Sequence, residues 1–233
     1  MVKFGEPWLM LCRPLGDSAL MIAVGSAADE ATAQQVQSLS DVLRENLLPG
    51  VEDVVPAFTT ITVHFNPRAI RGVHPQSVVE EWVSRSCTAP RSVNARPRRE
   101  VCVPVRYGGI FGPDLPLVAE TTGLRLTEVV ELHAGAHYTV AAIGFSPGFP
   151  YLIGLPKELH LPRRATPRTS VPAGSVAIAG GQAGIYPQST PGGWNVIGRT
   201  ELALFDLEGR PPAHLQVGDH VRFQPVEGKV LDD

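Results

Sequence analysis

The chain has 233 residues, of which 43% are hydrophobic and 18% charged, so it can bury an ordinary apolar core in one large or two modest domains. Its formal net charge of -3 at pH 7 gives no electrostatic reason to expect a nucleic acid or an anionic membrane as a partner. No apolar run approaches the roughly 20 residues that span a bilayer, and no signal-peptide core develops near the N-terminus, so we expect a cytoplasmic protein.

The first ninety residues alternate between strand-like and helical patterns. Two short strands joined at Gly16-Asp17 precede a helical pattern over residues 29–48, whose apolar residues recur at helical spacing. Two further strands within residues 51–67 and a second amphipathic helix over residues 74–87 follow. This order predicts a small α+β domain over residues 1–89, of the type β-β-α-β-β-α, with its helices on one side of a sheet.

The remainder of the chain has a different pattern. Residues 90–99 are rich in proline and arginine and have no apolar periodicity, which predicts a linker. From residue 100 onward, short apolar runs are separated by glycine and proline, and two short helices lie near the beginning of this part. Many short strands with dense turn signals are typical of a closed or nearly closed β-barrel, so we predict a mainly-β barrel domain over residues 100–233.

Residues 144–148 read Gly-Phe-Ser-Pro-Gly and match the G-x-S-x-G pattern of a nucleophile elbow. In an elbow, the backbone N–H after the serine forms half of the oxyanion hole, but the residue after Ser146 is Pro147, which has no N–H. Proline and glycine also fill the first turn of the helix that should follow. We therefore predict that Ser146 is not a nucleophile, although Asp206 and His214 follow it in a suitable chain order.

The same stretch has two other interpretations. It can be a surface turn, or a rigid loop in which glycines such as Gly148 let the backbone approach a ligand. In the second case Phe145, Phe149 and Tyr151 would form one wall of the site. The same rings are equally compatible with the core of a barrel.

An arginine-proline run begins shortly afterwards. Arg163, Arg164 and Arg168 occur within six residues, spaced by prolines that prevent a helix. Two of the three arginines could bind a carboxylate or phosphate, and the alternative is a solvated basic loop. The sequence has no G-x-x-x-x-G-K-[ST] motif and no metal-binding spacing of its histidines or its three cysteines, so we expect neither a Walker-type ATP site nor a metal site.

Four segments in the C-terminal part carry a family resemblance: VRYGGIFGPDL, GFSPGFPYLIGLP, PRRATPRTSVPAGSVAIAGGQ and IYPQSTPGGWNVIGRT. With the N-terminal hairpin PLGDSALMIAVG, they resemble the allophanate hydrolase subunit 1 family over nearly the whole chain. This family includes the B component of the bacterial ATP-dependent 5-oxoprolinase and inhibitors of sporulation kinases. The sequence departs from the family pattern at Ala183, where a threonine is expected, and this change removes one hydroxyl contact near Gln182.

The resemblance implies a small α+β domain followed by a cyclophilin-like β-barrel. It implies a component of a heteromeric enzyme that opens 5-oxoproline to glutamate at the expense of ATP and is inactive alone. The implied partner is a carboxyltransferase-like subunit of the allophanate hydrolase subunit 2 family, with a LamB-like third subunit. ATP with Mg would act at the level of the complex, and no cofactor is expected to be covalently bound.

The chemistry of such a reaction assigns roles to individual residues. Arg163 and Arg168 would supply charge for a carboxylate or a phosphoryl group, and His133 would act as a general acid or base. We also predict substrate-binding residues: Gly148, Phe149, Gln182, Trp194, Asn195 and Arg199. Three alternatives stay open, because His133 could instead be stabilised by a helix dipole, Trp194 could belong to the core, and Asp114 fits a helix N-cap or a catalytic acid.

Two other functions compete with the enzyme component. The chain could be a regulatory protein that inhibits a histidine kinase through the barrel surface. It could also belong to a urea- or allophanate-type amidase complex, although the Ser-Ser-Lys amidase signature is absent from the sequence.

Overall fold

The computed structural model describes residues 11–88 and 99–226, and these form two compact units. The predicted linker lies outside the described residues, except for Arg99. Among the residues described, no helix is long and apolar enough to cross a membrane.

The first unit is a four-stranded antiparallel sheet with two helices. Its elements are β1 (Leu11–Pro14), β2 (Ala19–Ala23), α1 (Glu30–Glu45), β3 (Val51–Ala57), β4 (Thr60–Phe65) and α2 (Pro75–Thr88). The spatial order of the strands is β1-β2-β4-β3. The helix α1 begins at Asp29, whose carboxylate accepts a hydrogen bond from the Thr32 backbone N–H at 2.8 Å. This N-cap satisfies one of the free N–H groups of the first helical turn.

One apolar core holds this unit together. Alternate residues of the central strands, such as Leu20, Ile61 and Val63, are fully buried because they face the helices. The helices contribute residues at helical spacing, including Leu39 and Leu43 of α1. Since full burial of such a side chain contributes about 1.5–3 kcal/mol, this shared core supplies the main stabilisation of the unit.

The second unit is built on a closed seven-stranded barrel, which confirms the predicted barrel. Its elements are β5 (Glu100–Tyr107), α3 (Leu115–Thr122), α4 (Leu126–Gly135), β6 (Tyr138–Ile143), β7 (Pro150–Ile153), a 3-10 turn (Lys157–Leu159), β8 (Arg168–Val171), β9 (Ser175–Ala179), β10 (Gln182–Ile185), β11 (Thr190–Gly192), β12 (Asn195–Arg199) and β13 (His220–Pro225). The strand order around the barrel is β10-β7-β6-β13-β5-β12-β9, and β8 pairs with β11 as a separate ribbon. Only the β13–β5 pair is parallel among these described strands.

The inside and outside of the barrel carry different clusters. Strand β5 alternates strictly between exposed and buried residues, and its buried residues, such as Val103 and Val105, join the interior core with side chains of α3 and α4. Strand β9 is buried on both faces. Val176 and Ile178 of β9 belong to the interior core, whereas Ala177 and Ala179 belong to a second cluster. The outer face of the barrel is therefore covered at β9.

His133 lies in the last turn of α4 and is completely buried. Its Nδ1 is 2.8 Å from the Tyr107 hydroxyl, and its ring is 4.5 Å from that of Phe223. Burial lowers the pKa of His133 from 6.5 to about 3, so the ring is neutral at pH 7. A neutral ring gains nothing from the negative end of the helix dipole, and a fully enclosed ring does not reach a substrate. We assign His133 a packing role, in place of the general acid or base and of the dipole-stabilised cation predicted from the sequence.

The burial of His133 predicts a stability that falls in acid. The imidazole takes up a proton near pH 6.5 in the unfolded chain but only near pH 3 in the folded one, so the unfolded state binds more protons between these values. The contribution is fully present above about pH 6.5 and is lost as the pH falls toward 3, by up to about 1.4 kcal/mol per pH unit.

Urea unfolding between pH 7 and pH 4.5 measures this slope. We expect His133→Phe to flatten it, whatever the absolute stability of the variant at pH 7. Tyr107→Phe is the matched control, because it removes the hydrogen bond but leaves the imidazole buried, and it should keep the wild-type slope. An unchanged slope in His133→Phe would contradict the assignment.

Candidate functional site

An arginine loop, residues 162–168, crosses the outside of the barrel. It is attached at several points to β12 and to the residues just before it. The Arg164 backbone N–H donates to the Gly193 carbonyl at 2.7 Å, and the Asn195 side-chain amide donates to the Pro162 carbonyl at 3.0 Å. The same amide group also lies 3.3 Å from the Ile178 carbonyl, on the neighbouring strand. Asn195 is buried, so the structure gives this predicted substrate-binding residue the role of a loop anchor.

The strongest attachment of the arginine loop is an ionic cluster around Asp114. Both guanidinium Nη atoms of Arg168 donate to the Asp114 carboxylate at 2.7 Å, and Arg164 donates to it at 2.6 Å. The Val196 backbone N–H donates a fourth hydrogen bond at 2.7 Å. The Asp114 side chain is 4% exposed, so its charge is removed from water and compensated almost entirely by these donors. The hydrogen bonds to Asp114 also raise the pKa of Arg168.

Asp114 reaches this position because the preceding turn lies directly against β12. A Cβ atom at Gly112 would come within 1.9 Å of the Ile197 carbonyl oxygen, so only glycine allows this approach. The Asp114 backbone N–H then donates to the Val196 carbonyl at 2.9 Å. Asp114 occupies the N-cap position of α3, but its side chain makes no capping hydrogen bond to the helix. The sequence suggested a helix cap or a catalytic acid for Asp114. In the structure its carboxylate instead holds Arg164 and Arg168 of the arginine loop.

Arg163 is the arginine of the loop that faces away from this ionic cluster. It is exposed, and its guanidinium carbon lies 6.0 Å from the centre of the Trp194 ring. This distance is at the outer limit of a cation–π interaction, which keeps the guanidinium over the ring without occupying its N–H donors. Arg163 can therefore bind an anion, whereas Arg168 has both Nη atoms committed to Asp114.

Five aromatic residues form an aromatic face, of which the Trp194 ring lies beneath Arg163. Its members are Phe145, Phe149, Tyr151, Tyr186 and Trp194. Phe149 is the centre, with ring centroids of the other four between 4.9 and 5.7 Å away and inclined by 61–90°. Such edge-to-face pairs each contribute about 0.5–1.5 kcal/mol beyond the burial of their area. The predicted wall therefore exists, but it lies outside the barrel and not in the barrel core.

Tyr186 adds a polar group to the aromatic face. Burial raises the pKa of its hydroxyl, whereas a hydrogen bond from the Trp194 backbone and the positive charges of Arg163 and Arg168 act in the opposite direction. The hydroxyl is therefore a neutral group at pH 7, close to the arginine loop. Tyr186 belongs to the IYPQ stretch of the family motif, but no role was predicted for it from the sequence.

The turn that contains Ser146 connects β6 to β7, and no helix follows it. The Phe149 N–H donates to the Ser146 carbonyl at 3.0 Å, with Pro147 and Gly148 between them. Gly148 has a φ of +81°, as the third position of a type II turn requires. Ser146 is thus part of a hairpin turn and not of an elbow. A Cβ at Gly148 would come within 2.9 Å of the Leu204 carbonyl, so the glycine makes a backbone approach to protein and not to a ligand.

Phe145, in the same turn, has an unusual backbone conformation. Its φ is +69°, and the left-handed region costs a residue with a side chain about 1–2 kcal/mol. Its ring is 63% exposed and contacts the edges of Phe149 and Tyr186. Strain of this kind is frequent at binding sites, where a side chain is held in position at the expense of stability.

Gln182 lies on the outer face of β10, and Ala183 lies on the inner face. Gln182 pairs with Ala179 of β9, which belongs to the outer cluster, and cross-strand partners share one face of a sheet. Ala183 is fully buried in the barrel interior. The expectation that alanine at this position removes a contact near Gln182 is therefore wrong, because the two side chains leave β10 on opposite faces.

Arg199 lies in a different place from the arginine loop. It is at the end of β12 opposite Arg106 of β5, and both residues line a cleft of about 700 Å³. The structure thus brings together Arg163, Trp194 and Phe149, and Arg199 lies apart from them in the lining of this cleft. Within residues 11–88 and 99–226, no group of three or more His, Cys, Asp or Glu residues could hold a metal ion.

Comparison with known proteins identifies the family. The chain belongs to the family described as carboxyltransferase domain, subdomain C and D, which it matches over residues 10–215. This match confirms the resemblance inferred from the motifs. A carboxyltransferase relationship, predicted from the sequence for a partner subunit, thus applies to this chain itself.

Individual relatives cover most of the chain. A protein of Bacillus subtilis (strain 168), named as the B component of 5-oxoprolinase, is 41% identical over 225 residues, which cover 92% of both chains. A protein of Escherichia coli O157:H7 with the same name is also 41% identical, over 92% of this chain and 95% of the relative. The crystal structure of TTHA0988 superposes with a TM-score of 0.78 at 36% identity over 91% of this chain. The present chain spans 40% of the length of TTHA0988.

The Asp114 cluster predicts a large loss of stability when its carboxylate is neutralised. Removing one partner of a buried ionic cluster typically costs about 3–5 kcal/mol. Because Arg164 and Arg168 are 28% and 26% exposed and can turn partly to water, we expect Asp114→Asn to lose about 3 kcal/mol of unfolding free energy in urea. Glu208→Gln, which neutralises an exposed carboxylate of the same unit, is the control and should change stability by less than about 0.5 kcal/mol. Equal effects of the two substitutions would rule out this role for Asp114.

Proposed function

We propose that this chain is the B component of an ATP-dependent 5-oxoprolinase, an enzyme that opens 5-oxoproline to glutamate. The observation that carries the proposal is 41% identity to proteins of that name across 92% of this chain and at least 92% of theirs. The alignments cover 92% of this chain, so they include both the arginine loop and the aromatic face. It supports a shared function and not only a shared fold.

The chemistry of the site fits a small cyclic amide that bears a carboxylate. The Arg163 guanidinium can receive the carboxylate as a planar fork of donors. The exposed Phe145 ring offers an apolar surface for the ring of the substrate, whereas the buried Trp194 ring supports the Arg163 guanidinium from below. Gln182, on the outer face of β10, has an amide group that can pair with the amide of a lactam.

The three arginines act differently in this proposal. Arg164 and Arg168 are positioning residues, because Asp114 holds them and they fix the course of the loop. Arg163 is the residue that contacts the substrate. With three arginines and one buried carboxylate, the loop retains two positive charges, which attract an anionic substrate.

The described residues do not fit Mg-ATP. The sequence has no P-loop motif, and the buried Asp114 carboxylate, which lies nearest to the arginine loop, already accepts four hydrogen bonds. We therefore propose that ATP and Mg act at the level of the complex, on another polypeptide. What this chain contributes is a surface that binds and orients the substrate and excludes water from the face of its ring.

Partner subunits are part of the proposal. In TTHA0988 the matching region makes up 40% of the chain, so further polypeptide is covalently joined to it in that protein. This supports a partner polypeptide, and we propose that it is a carboxyltransferase-like subunit of the allophanate hydrolase subunit 2 family, with a LamB-like third subunit. We also propose that the barrel is of the cyclophilin-like type and that this chain alone is inactive.

Reconstitution tests this function. The chain is co-expressed with the two candidate partner subunits, and release of glutamate from 5-oxoproline is measured with and without ATP. We expect release only with ATP and only when this chain is present. Equal release in a complex that lacks this chain would disprove the proposal.

Arg163 provides the sharpest test at residue level. We expect Arg163→Gln to raise KM for 5-oxoproline in the reconstituted complex by at least tenfold, because a charge-assisted hydrogen bond contributes about 1.5–3 kcal/mol. Arg222→Gln is the matched control, since Arg222 is an exposed arginine of β13 outside the loop, and Ser146→Ala tests the rejected nucleophile. Both should retain KM and kcat within about twofold. Loss of activity in Ser146→Ala, or a wild-type KM in Arg163→Gln, would contradict the assignment.

A further inference from the structure

The cleft that contains Arg199 has the features of a separate ligand site. Its volume of about 700 Å³ falls within the roughly 300–1,000 Å³ typical of small-molecule pockets. Two arginines, Arg106 and Arg199, and one acidic residue, Glu201, line it together with apolar residues that include Pro104, Phe111 and Leu202. The arginine loop and the aromatic face contribute none of the described lining residues.

The two arginines of the cleft are direct cross-strand partners. Arg199 of β12 is paired with Arg106 of β5 in an antiparallel ladder, so their side chains leave the same face of the barrel. Like charges in this arrangement are destabilising. Water screens part of this repulsion because both side chains are partly exposed, and a bound anion would remove more of it.

The compensation within the described residues is partial. Glu201 lies 3.3 Å from the Arg106 guanidinium, but the Glu201 side chain is 85% exposed, so this ion pair contributes little. Arg106 also lies over the Phe111 ring, 5.5 Å from its centre. Two arginines and one glutamate leave the cleft with one net positive charge.

The Arg199 side chain is held so that a specific edge remains available. Its Nε donates to the Ala173 carbonyl at 2.9 Å, which fixes the plane of the guanidinium. The two Nη groups form the other donor edge, and two parallel N–H donors match the two oxygens of a carboxylate. The two Nη groups of Arg199 are therefore already oriented to bind a carboxylate, in a cleft that also has apolar lining residues.

We propose that this cleft binds a small organic carboxylate. The carboxylate pairs with the Nη edge of Arg199 and with Arg106, and the apolar body of the ligand lies against Phe111 and Leu202. A monoanion matches the single net positive charge, whereas a phosphate dianion would be left partly uncompensated. The apolar part of the lining also favours an organic ligand over an inorganic anion. This site is independent of the 5-oxoprolinase assignment, because none of its residues belongs to the arginine loop.

The experiment compares a carboxylate probe with its neutral isostere on the full chain. Benzoate and benzamide have the same shape and differ in charge, and inorganic phosphate tests the anion alone. Each is titrated at low salt and followed by backbone amide chemical shifts. We expect saturable binding of benzoate, with shift changes centred on β5, β12 and residues 199–203, and binding of benzamide and phosphate at least tenfold weaker.

Substitutions assign the charge. We expect Arg199→Gln to weaken benzoate binding at least tenfold and Arg106→Gln to weaken it less, since Arg106 already faces Glu201. Arg222→Gln, on the exposed surface of β13, is the matched control and should bind benzoate like the wild type. Because Arg199 is partly exposed, the variant is expected to fold, and its amide spectrum away from the cleft reports this directly.

The following results would overturn the proposal. They are equal affinities for benzoate and benzamide, wild-type benzoate affinity in a folded Arg199→Gln variant, and shift changes confined to the aromatic face. Absence of benzoate binding would also overturn it. If, in that case, Arg199→Gln weakens association with a partner polypeptide, the cleft receives an acidic polypeptide segment and not a small molecule. This binding test does not measure glutamate release by the reconstituted complex. A negative result for benzoate therefore does not bear on the function proposed above.

Discussion

The buried carboxylate of Asp114 is the interaction on which the arginine loop depends. A charge removed from water costs several kcal/mol unless donors replace the hydration shell. Here two guanidinium groups and one backbone N–H provide four hydrogen bonds of 2.6–2.7 Å. Because the donors come from the arginine loop and from β12, satisfying one carboxylate connects both of them to the turn before α3. The loop then has a defined course although it contains no regular secondary structure.

Fixing the loop at Arg164 and Arg168 also determines what remains available for chemistry. The guanidinium of Arg163 is left over the Trp194 ring, and this ring belongs to a cluster centred on Phe149. The cluster in turn supports Phe145, whose exposed ring lies against Phe149. The backbone of Phe145 is strained, and such a conformation persists only where the surrounding residues are rigid. A buried ionic cluster and a buried aromatic cluster thus support one exposed cation and one exposed ring.

The sequence predicts the parts of this site better than it predicts their connections. Short apolar runs between glycines predict the barrel, and the Arg-Pro run predicts the loop, because both are local patterns. Asp114 lies 50 residues before Arg164 in the chain, and no periodicity encodes a pairing at that distance. Asn195 and Arg199 stand in one motif, but they lie on β12 on either side of a register shift between Val196 and Gly198, which breaks the simple alternation of faces. The last turn of α4 is recognisable from sequence, but the enclosure of His133 depends on Tyr107 and Phe223, which come from distant strands.

Two places on the barrel carry local positive charge in a chain whose formal net charge is -3. The arginine loop holds two net positive charges and the Arg199 cleft holds one, so attraction of anions is local and not a property of the whole surface. The two places share backbone: Val171 and Tyr186 belong to the aromatic cluster, whereas Ala173 and Pro187, one or two residues further along, line the cleft. The segments that support the aromatic face therefore continue directly into the lining of the cleft, where the Ala173 carbonyl already accepts a hydrogen bond from Arg199.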